Sequence, residues 1–241
     1  MTARWRRVVL KLSGEAFADK TGQSTIDGDV VFQVAREIAD VRRDLDVDVV
    51  VVVGGGNIWR GATGAHSGMD RAQSDYMGML GTVINALALQ DALERLDQPT
   101  RVQSALEVTK VAEPYIRRRA IRHLEKGRVV ILAGGLGDPF FTTDTPAAVR
   151  AAELNAQAVL KGTHSGVDGV YTADPKKDPS ATRYDEVSYM QVLNEGLNVM
   201  DATSITFCMD NDLPIVVFDV LVEGNLRRVL LGEDGIGTLV R

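Results

Sequence analysis

The sequence predicts an α/β fold: three layers, α-β-α, with helices covering both faces of a central, mainly parallel sheet. Three observations carry this. Short runs that are apolar on both faces recur (Val8-Val9-Leu10, Val49 to Val53, Val129 to Leu132), as strands of a covered parallel sheet require. Helical apolar patterns alternate with them along the 241 residues. Each run also passes straight into a glycine-bearing loop: Ser13-Gly14, Gly54-Gly55-Gly56-Asn57 and Gly134-Gly135. Ligands of such sheets sit beyond the carboxyl ends of the strands, where glycine lets backbone N–H groups approach a phosphate.

The first strand is expected over residues 5–12, followed by a polar loop to Thr25 and by Asp27 as a helix cap. That helix carries Val30, Val34, Ile38, Val41 and Leu45 as an apolar stripe. A second strand covers 47–53, and a long glycine-rich loop 54–70 follows. The next helix, about Ala72 to Leu96, turns Met77, Leu80, Ile84, Leu87 and Leu96 to the core. Residues 100–106 alternate as a strand, and Ala112 to Lys126 reads as a helix closed by Gly127. After strand 128–133 and loop 134–144, Thr145-Pro146 reads as cap and first-turn proline of a helix. A strand over 156–161 ends at Lys161, and a polar segment occupies 162–188. Helical turns near 188–195 and 202–211, a strand from Pro214 to Phe218 and a helix over 224–231 complete the chain. With no linker or repeat, residues 1–241 read as one domain with two halves, about 1–155 and 156–241.

A net charge of −6 and 5% aromatic residues argue against a nucleic-acid platform. Arg117-Arg118-Arg119 with Arg122 reads as a solvated or subunit-contacting helix face. Cys208 is the only cysteine, which points to a reducing, cytoplasmic setting. The apolar stretch after the basic start is interrupted by Lys11, too soon for a signal-peptide core, and no membrane span is expected. His66, His123 and His164 lack metal-ligand spacing, so no protein metal site is expected.

No G-x-x-x-x-G-K-[ST] and no strand-borne G-x-G-x-x-G are present, which excludes a P-loop and disfavours a dinucleotide site. The strand ends carry cations instead: Lys11, Lys161 and, just past the triple glycine, Arg60. Phosphoryl transfer asks for positioning and for positive charge around the moving group, and these residues supply both. Asp75, Asp144 and Asp201 are candidate carboxylates, each also a candidate helix cap. A carboxylate between two lysines would hold them charged, and Asp201 is the choice for that role. Gly137-Asp138-Pro139-Phe140-Phe141-Thr142-Thr143 suits a small, partly flat ligand or, equally, an apolar plug in a turn.

The segments Lys11-Leu12-Ser13-Gly14-Glu15, Gly54 to Gly61, Asp75-Tyr76-Met77-Gly78-Met79-Leu80, Gly137 to Asp144 and Val167 to Pro175 resemble the bacterial uridylate (UMP) kinases of the amino-acid kinase superfamily. The resemblance runs through the whole chain in order. It implies an amino-acid kinase-like fold with a UMP-binding first half and an ATP-binding second half. It implies transfer of the ATP γ-phosphoryl group to UMP in pyrimidine nucleotide synthesis, with Mg²⁺ held mainly by ATP phosphates and water. Lys11, Leu12, Ser13, Gly14, Gly56, Arg60, Thr163, Tyr171 and Asp174 would serve ATP. Gly55, Asp75, Leu136, Gly137, Asp138, Pro139, Phe140, Phe141, Thr142 and Thr143 would serve UMP. Lys11, Arg60, Lys161, Asp144 and Asp201 would carry the transfer, with Asp201 organising Lys11 and Lys161. A homohexamer with GTP and UTP as effectors is implied as well. The chain departs from the family pattern in loop 19–25, in a longer loop 162–166, and at Asp138, where Asn is frequent. A carboxylate kinase of the same superfamily, or a nucleotide-binding sensor without catalysis, are the other readings the sequence leaves open.

Overall fold

A computed structural model describes residues 2–19, 24–66, 68–164 and 166–241. Most of the loop from Asp19 to Thr25 and Ser165 of the 162–166 loop thus lie outside the described residues. In chain order β1 (Arg7–Leu12) is followed by a 3-10 turn (Gly14–Phe17), α1 (Gly28–Leu45), β2 (Asp48–Val53), α2 (Gly61–His66) and α3 (Arg71–Glu94). Next come β3 (Thr100–Ser104), β4 (Glu113–Pro114), α4 (Arg117–Glu125), β5 (Val129–Ala133), α5 (Asp144–Glu153) and β6 (Ala158–Thr163). The last elements are β7 (Glu186–Val187), α6 (Tyr189–Glu195), α7 (Ala202–Asp210), β8 (Ile215–Asp219), α8 (Asn225–Leu231) and β9 (Gly237–Val240).

The strands form one sheet in the order β4-β3-β5-β2-β1-β6-β8-β9-β7. The pairings are parallel except β8 with β9. The expected α/β class, a mainly parallel sheet between helices, is what the chain forms. Strand alternation sorts the core into two layers. Val8, Leu10 and Leu12 of β1 pack with Val31 and Ile38 of α1, Leu89 of α3 and Leu230 of α8. Val9 faces the other way, into the layer of Leu124 from α4, Ala148 from α5 and Ile205 from α7. Lys11, two residues past Val9, shares that second face and ends up buried at the strand end. The order reverses around β1, with β2 on one side and β6 on the other, which makes this the topological switch point.

Several elements differ from expectation. Residues 54–70 are not all loop, because Gly61–His66 form α2. The segment from Ala112 contains the edge strand β4, and α4 starts only at Arg117. Strand β6 continues two residues beyond Lys161. Helix α5 begins at Asp144 with Thr143 at its N-cap position, so Thr145 is no cap. The apolar face of α3 is the largest correction. Leu80 and Ile84 are 48% and 49% exposed, whereas Met79, Val83, Ala86, Leu89 and Leu93 are buried. The helix carries apolar residues all round, so large side chains alone do not mark its inner face. Small residues do, because α3 lies directly on the β2 loop. A Cβ added to Gly55 would stand 2.4 Å from the Gly78 carbonyl oxygen and 2.8 Å from the Thr82 nitrogen.

Candidate active site

Lys11 and Lys161 are direct register partners on the adjacent parallel strands β1 and β6. Their side chains therefore leave the sheet on one face, side by side, where two ammoniums repel. Asp144, the first residue of α5, lies between them. Lys11 Nζ is 2.9 Å from Asp144 Oδ1, and Lys161 Nζ is 3.4 Å from Oδ2. Burial pushes the Asp144 carboxyl up, but the two ammoniums outweigh it and hold its pKa below the usual range. Burial lowers the pKa of Lys161, and Lys11 adds to that against the pull of Asp144. One carboxylate thus serves two lysines.

Asp201 is not the carboxylate between the lysines; it acts on Lys161 only through its charge, which opposes the fall in that lysine's pKa. It is the N-cap of α7, accepting from the Ser204 N–H at 2.7 Å, and it also accepts from the Thr142 hydroxyl and, at 3.1 Å, the Thr145 hydroxyl. The choice of carboxylate fails for a topological reason. The start of α5 abuts the ends of β1 and β6, while Asp201 hydrogen-bonds Thr142 and Thr145 around Asp144 and Ser204 of its own helix. Lys161 also donates to the Val199 carbonyl, which ties β6 to the segment before α7.

A cleft of ≈ 320 Å³ opens in front of this cluster. Of the cluster only Lys11 reaches the cleft wall, so Asp144 and Lys161 stand behind it. Ser13, which receives a hydrogen bond from Lys11 at 3.3 Å, and Gly14 line one wall. Gly55, Gly56 and Arg60 form the floor, with Arg60 paired to Glu15. Asp75 stands at the far end, accepting from Arg71 Nε at 2.9 Å and from the Phe140 N–H at 2.9 Å. Leu136, Asp138, Phe141, Thr142 and Thr143 close the remaining side.

The Phe140 N–H bond to Asp75 holds a residue that pays in backbone strain, φ +73°. Phe140 itself is 66% exposed beside the Arg71 guanidinium, and neither it nor Gly137 nor Pro139 lines the cleft. The plug reading of this loop is therefore wrong: both phenylalanines are exposed. Leu12 points into the core and offers the site only backbone.

Thr163, Tyr171 and Asp174 lie on the other side of the switch point. Thr163 donates to the Phe218 carbonyl at 2.9 Å, and Tyr171 donates to Asp168 at 2.6 Å. Tyr171 and Asp174 line a separate hollow with Val167, Lys176, Glu195 and Asn198.

A phosphoryl-transfer site at this switch point agrees with the comparison to known families: the profile of the amino acid kinase family matches residues 6–219. The chain belongs to the amino acid kinase family. Solved kinase structures superpose on it over nearly their whole length. The UMP kinase of Bacillus anthracis is 43% identical, covering 98% of this chain and 96% of that one, with a TM-score of 0.92. The UMP kinase of Ureaplasma parvum is 37% identical over 98% and 99%, with a TM-score of 0.89. The uridylate kinase of Archaeoglobus fulgidus is 27% identical over 97% and 99%, with a TM-score of 0.70. This kinase is accordingly a phosphotransferase, and no described helix is long and apolar enough to cross a membrane.

Sequence reasoning missed Glu15 and Arg71 as members of the site. Arg71 was detectable from its i,i+4 spacing to Asp75. Glu15 had no such signal, because its partner Arg60 is distant in sequence.

Proposed function

We propose that this kinase transfers the γ-phosphoryl group of Mg-ATP to UMP, giving UDP and ADP. The observation that carries the reading is a single cleft that joins Lys11 to Asp75 and to the Leu136–Thr143 side, in a chain 43% identical to a UMP kinase. A phosphate oxygen of UMP forms the bond to the γ-phosphorus, and the bond from that phosphorus to the bridging oxygen of ADP breaks. The attacking oxygen is already anionic near neutral pH, so the step needs no general base. What it needs is in-line positioning and cations around the moving group.

Lys11 meets the transferred phosphoryl group, and Asp144 holds Lys11 in place while Lys161 backs the pair. A carboxylate kept ionised by two ammoniums is a fixed counter-charge and no proton donor. Arg60 faces the phosphates between donor and acceptor, leaving Glu15 when they bind. Ser13, Gly14 and Gly56 hold ATP phosphates, with Thr163, Tyr171 and Asp174 on the nucleoside side. Asp75 accepts from the ribose hydroxyls of UMP, and Thr142 and Thr143 stand near the base. Residues 1–155 serve the acceptor and 156–241 the donor.

The charged groups fit a magnesium ion that arrives on the nucleotide. Both oxygens of Asp144 face lysines, and no group of three or more His, Cys, Asp or Glu able to hold a metal occurs among the described residues. Such an ion needs few protein ligands when phosphates supply its oxygens, and it would offset charge on them. Tyr76, Leu80 and Ile84, exposed at steps of four on α3, support a homo-oligomer, which we read as a hexamer. GTP and UTP as effectors, a cytoplasmic location and a place in pyrimidine nucleotide synthesis belong to the same reading.

The test is steady-state turnover of UMP, CMP, AMP and GMP with Mg-ATP by the purified protein, alone and with GTP or UTP added. Preference for UMP supports the reading, and equal or greater turnover of another monophosphate rejects it. A rate unchanged by both GTP and UTP rejects their role as effectors.

A further inference from the structure

Four polar side chains on one side of α3 bond to backbone around the site: Ser74 to Gly61 at the start of α2, and Asp75, Thr82 and Asn85 to the loops. Ser74, Thr82 and Asn85 are fully buried, at 0%, 2% and 1% exposure. Thr82 Oγ1 donates to the Met79 carbonyl at 2.6 Å and accepts from the Gly134 N–H at 2.7 Å. Asn85 donates to the Gly54 carbonyl at 2.7 Å and to Asn57 Oδ1 at 2.8 Å, and accepts from Asn57 Nδ2 at 3.1 Å. Asn57 reaches on to the Thr25 carbonyl at 2.8 Å, and the Gly54 N–H returns to the Leu12 carbonyl at 2.8 Å.

These bonds form one continuous path. It runs from the end of β1, which bears Lys11, through the β2 glycine loop to α3 and across to Gly134 in the loop after β5. The loop after β5 ends at Asp144 and carries the acceptor wall of the cleft. Glycine loops have little side-chain packing to fix their separation, so buried hydrogen bonds to a rigid helix set it. We propose that Thr82 and Asn85 are positioning residues for the transfer, holding the β2 and β5 loops at the spacing that brings donor and acceptor phosphates into line. The proposal rests on the phosphoryl-transfer reading of this cleft.

The experiment compares Thr82→Val, Thr82→Ser and Asn85→Asp with the parent enzyme. Thr82→Val keeps the shape and removes the hydroxyl. Asn85→Asp can still accept from Asn57 but cannot donate to Gly54. The expected result is a kcat lower by about ten-fold or more in Thr82→Val and Asn85→Asp, because small misplacements of reacting groups are costly. The acceptor KM rises with it, the ATP KM stays within about two-fold, and Thr82→Ser recovers most of kcat. A kcat within about two-fold of the parent in both variants overturns the proposal. So does a loss that tracks loss of folded protein by circular dichroism and that Thr82→Ser does not recover. If the parent prefers an acceptor other than UMP, the UMP reading fails, and the same comparison with that acceptor still decides the positioning role.

Discussion

Lys11 and Lys161 are forced together by strand register, and the site depends on Asp144 answering both with one carboxylate. Replacing Lys11 by alanine removes the only member of the trio on the cleft wall, so kcat should fall about 100- to 1,000-fold with the fold intact. Turnover and a thermal melt on the same preparation check both parts. Asp144→Asn leaves two buried ammoniums without counter-charge and should cost about 3–5 kcal/mol of stability as well as activity. The pH dependence has a definite sign. The folded pKa of Asp144 lies below its unfolded value of about 3.9, so its stabilisation is complete above about pH 4. It drains away as the carboxylate protonates in more acid solution. Denaturant titrations between pH 7 and 3 should show a smaller acid loss in Asp144→Asn than in the parent.

At the scale of elements, α3 decides how the loops are placed. Gly55→Ala would push a methyl group into the Gly78 carbonyl and the Thr82 nitrogen and should destabilise by about 1–3 kcal/mol, measured by urea unfolding. The same helix shows why part of the fold was legible and part was not. The β1, β2 and β5 runs are apolar on both faces and could be little other than buried parallel strands. Asp27 sits where a cap should, and it accepts from the N–H groups of Asp29 and Val30. The inward face of α3 was misread because Gly78, Gly81 and Thr82 line it while Leu80 and Ile84 point outward. Strands β7 and β9, with two and four residues, are too short to show a period. Lys11, Lys161 and Arg60 were visible as cations at strand ends, yet which aspartate meets the lysines depends on the seating of α5, a tertiary fact.

For the whole molecule, the order reversal at β1 and β6 places the two halves on either side of one charge cluster. The outward stripe of α3 should be covered by another copy of the chain. Leu80→Glu together with Ile84→Lys should shift the species seen in sedimentation toward monomer, and an unchanged sedimentation profile would remove α3 from the interface. Cys208 offers a clean reporter of global opening. It is fully buried, and burial pushes its thiol up to about 12, so a thiol reagent should react with it only on unfolding. The proposed function requires that a phosphoryl group leave ATP for UMP at this cleft. Incubation with ATP labelled in the γ-phosphate, offered UMP, other nucleoside monophosphates, aspartate and acetylglutamate in parallel, tests it most directly. Label should appear in UDP well ahead of every other product, and label in another nucleotide, in an acyl phosphate or in no acceptor at all would contradict it.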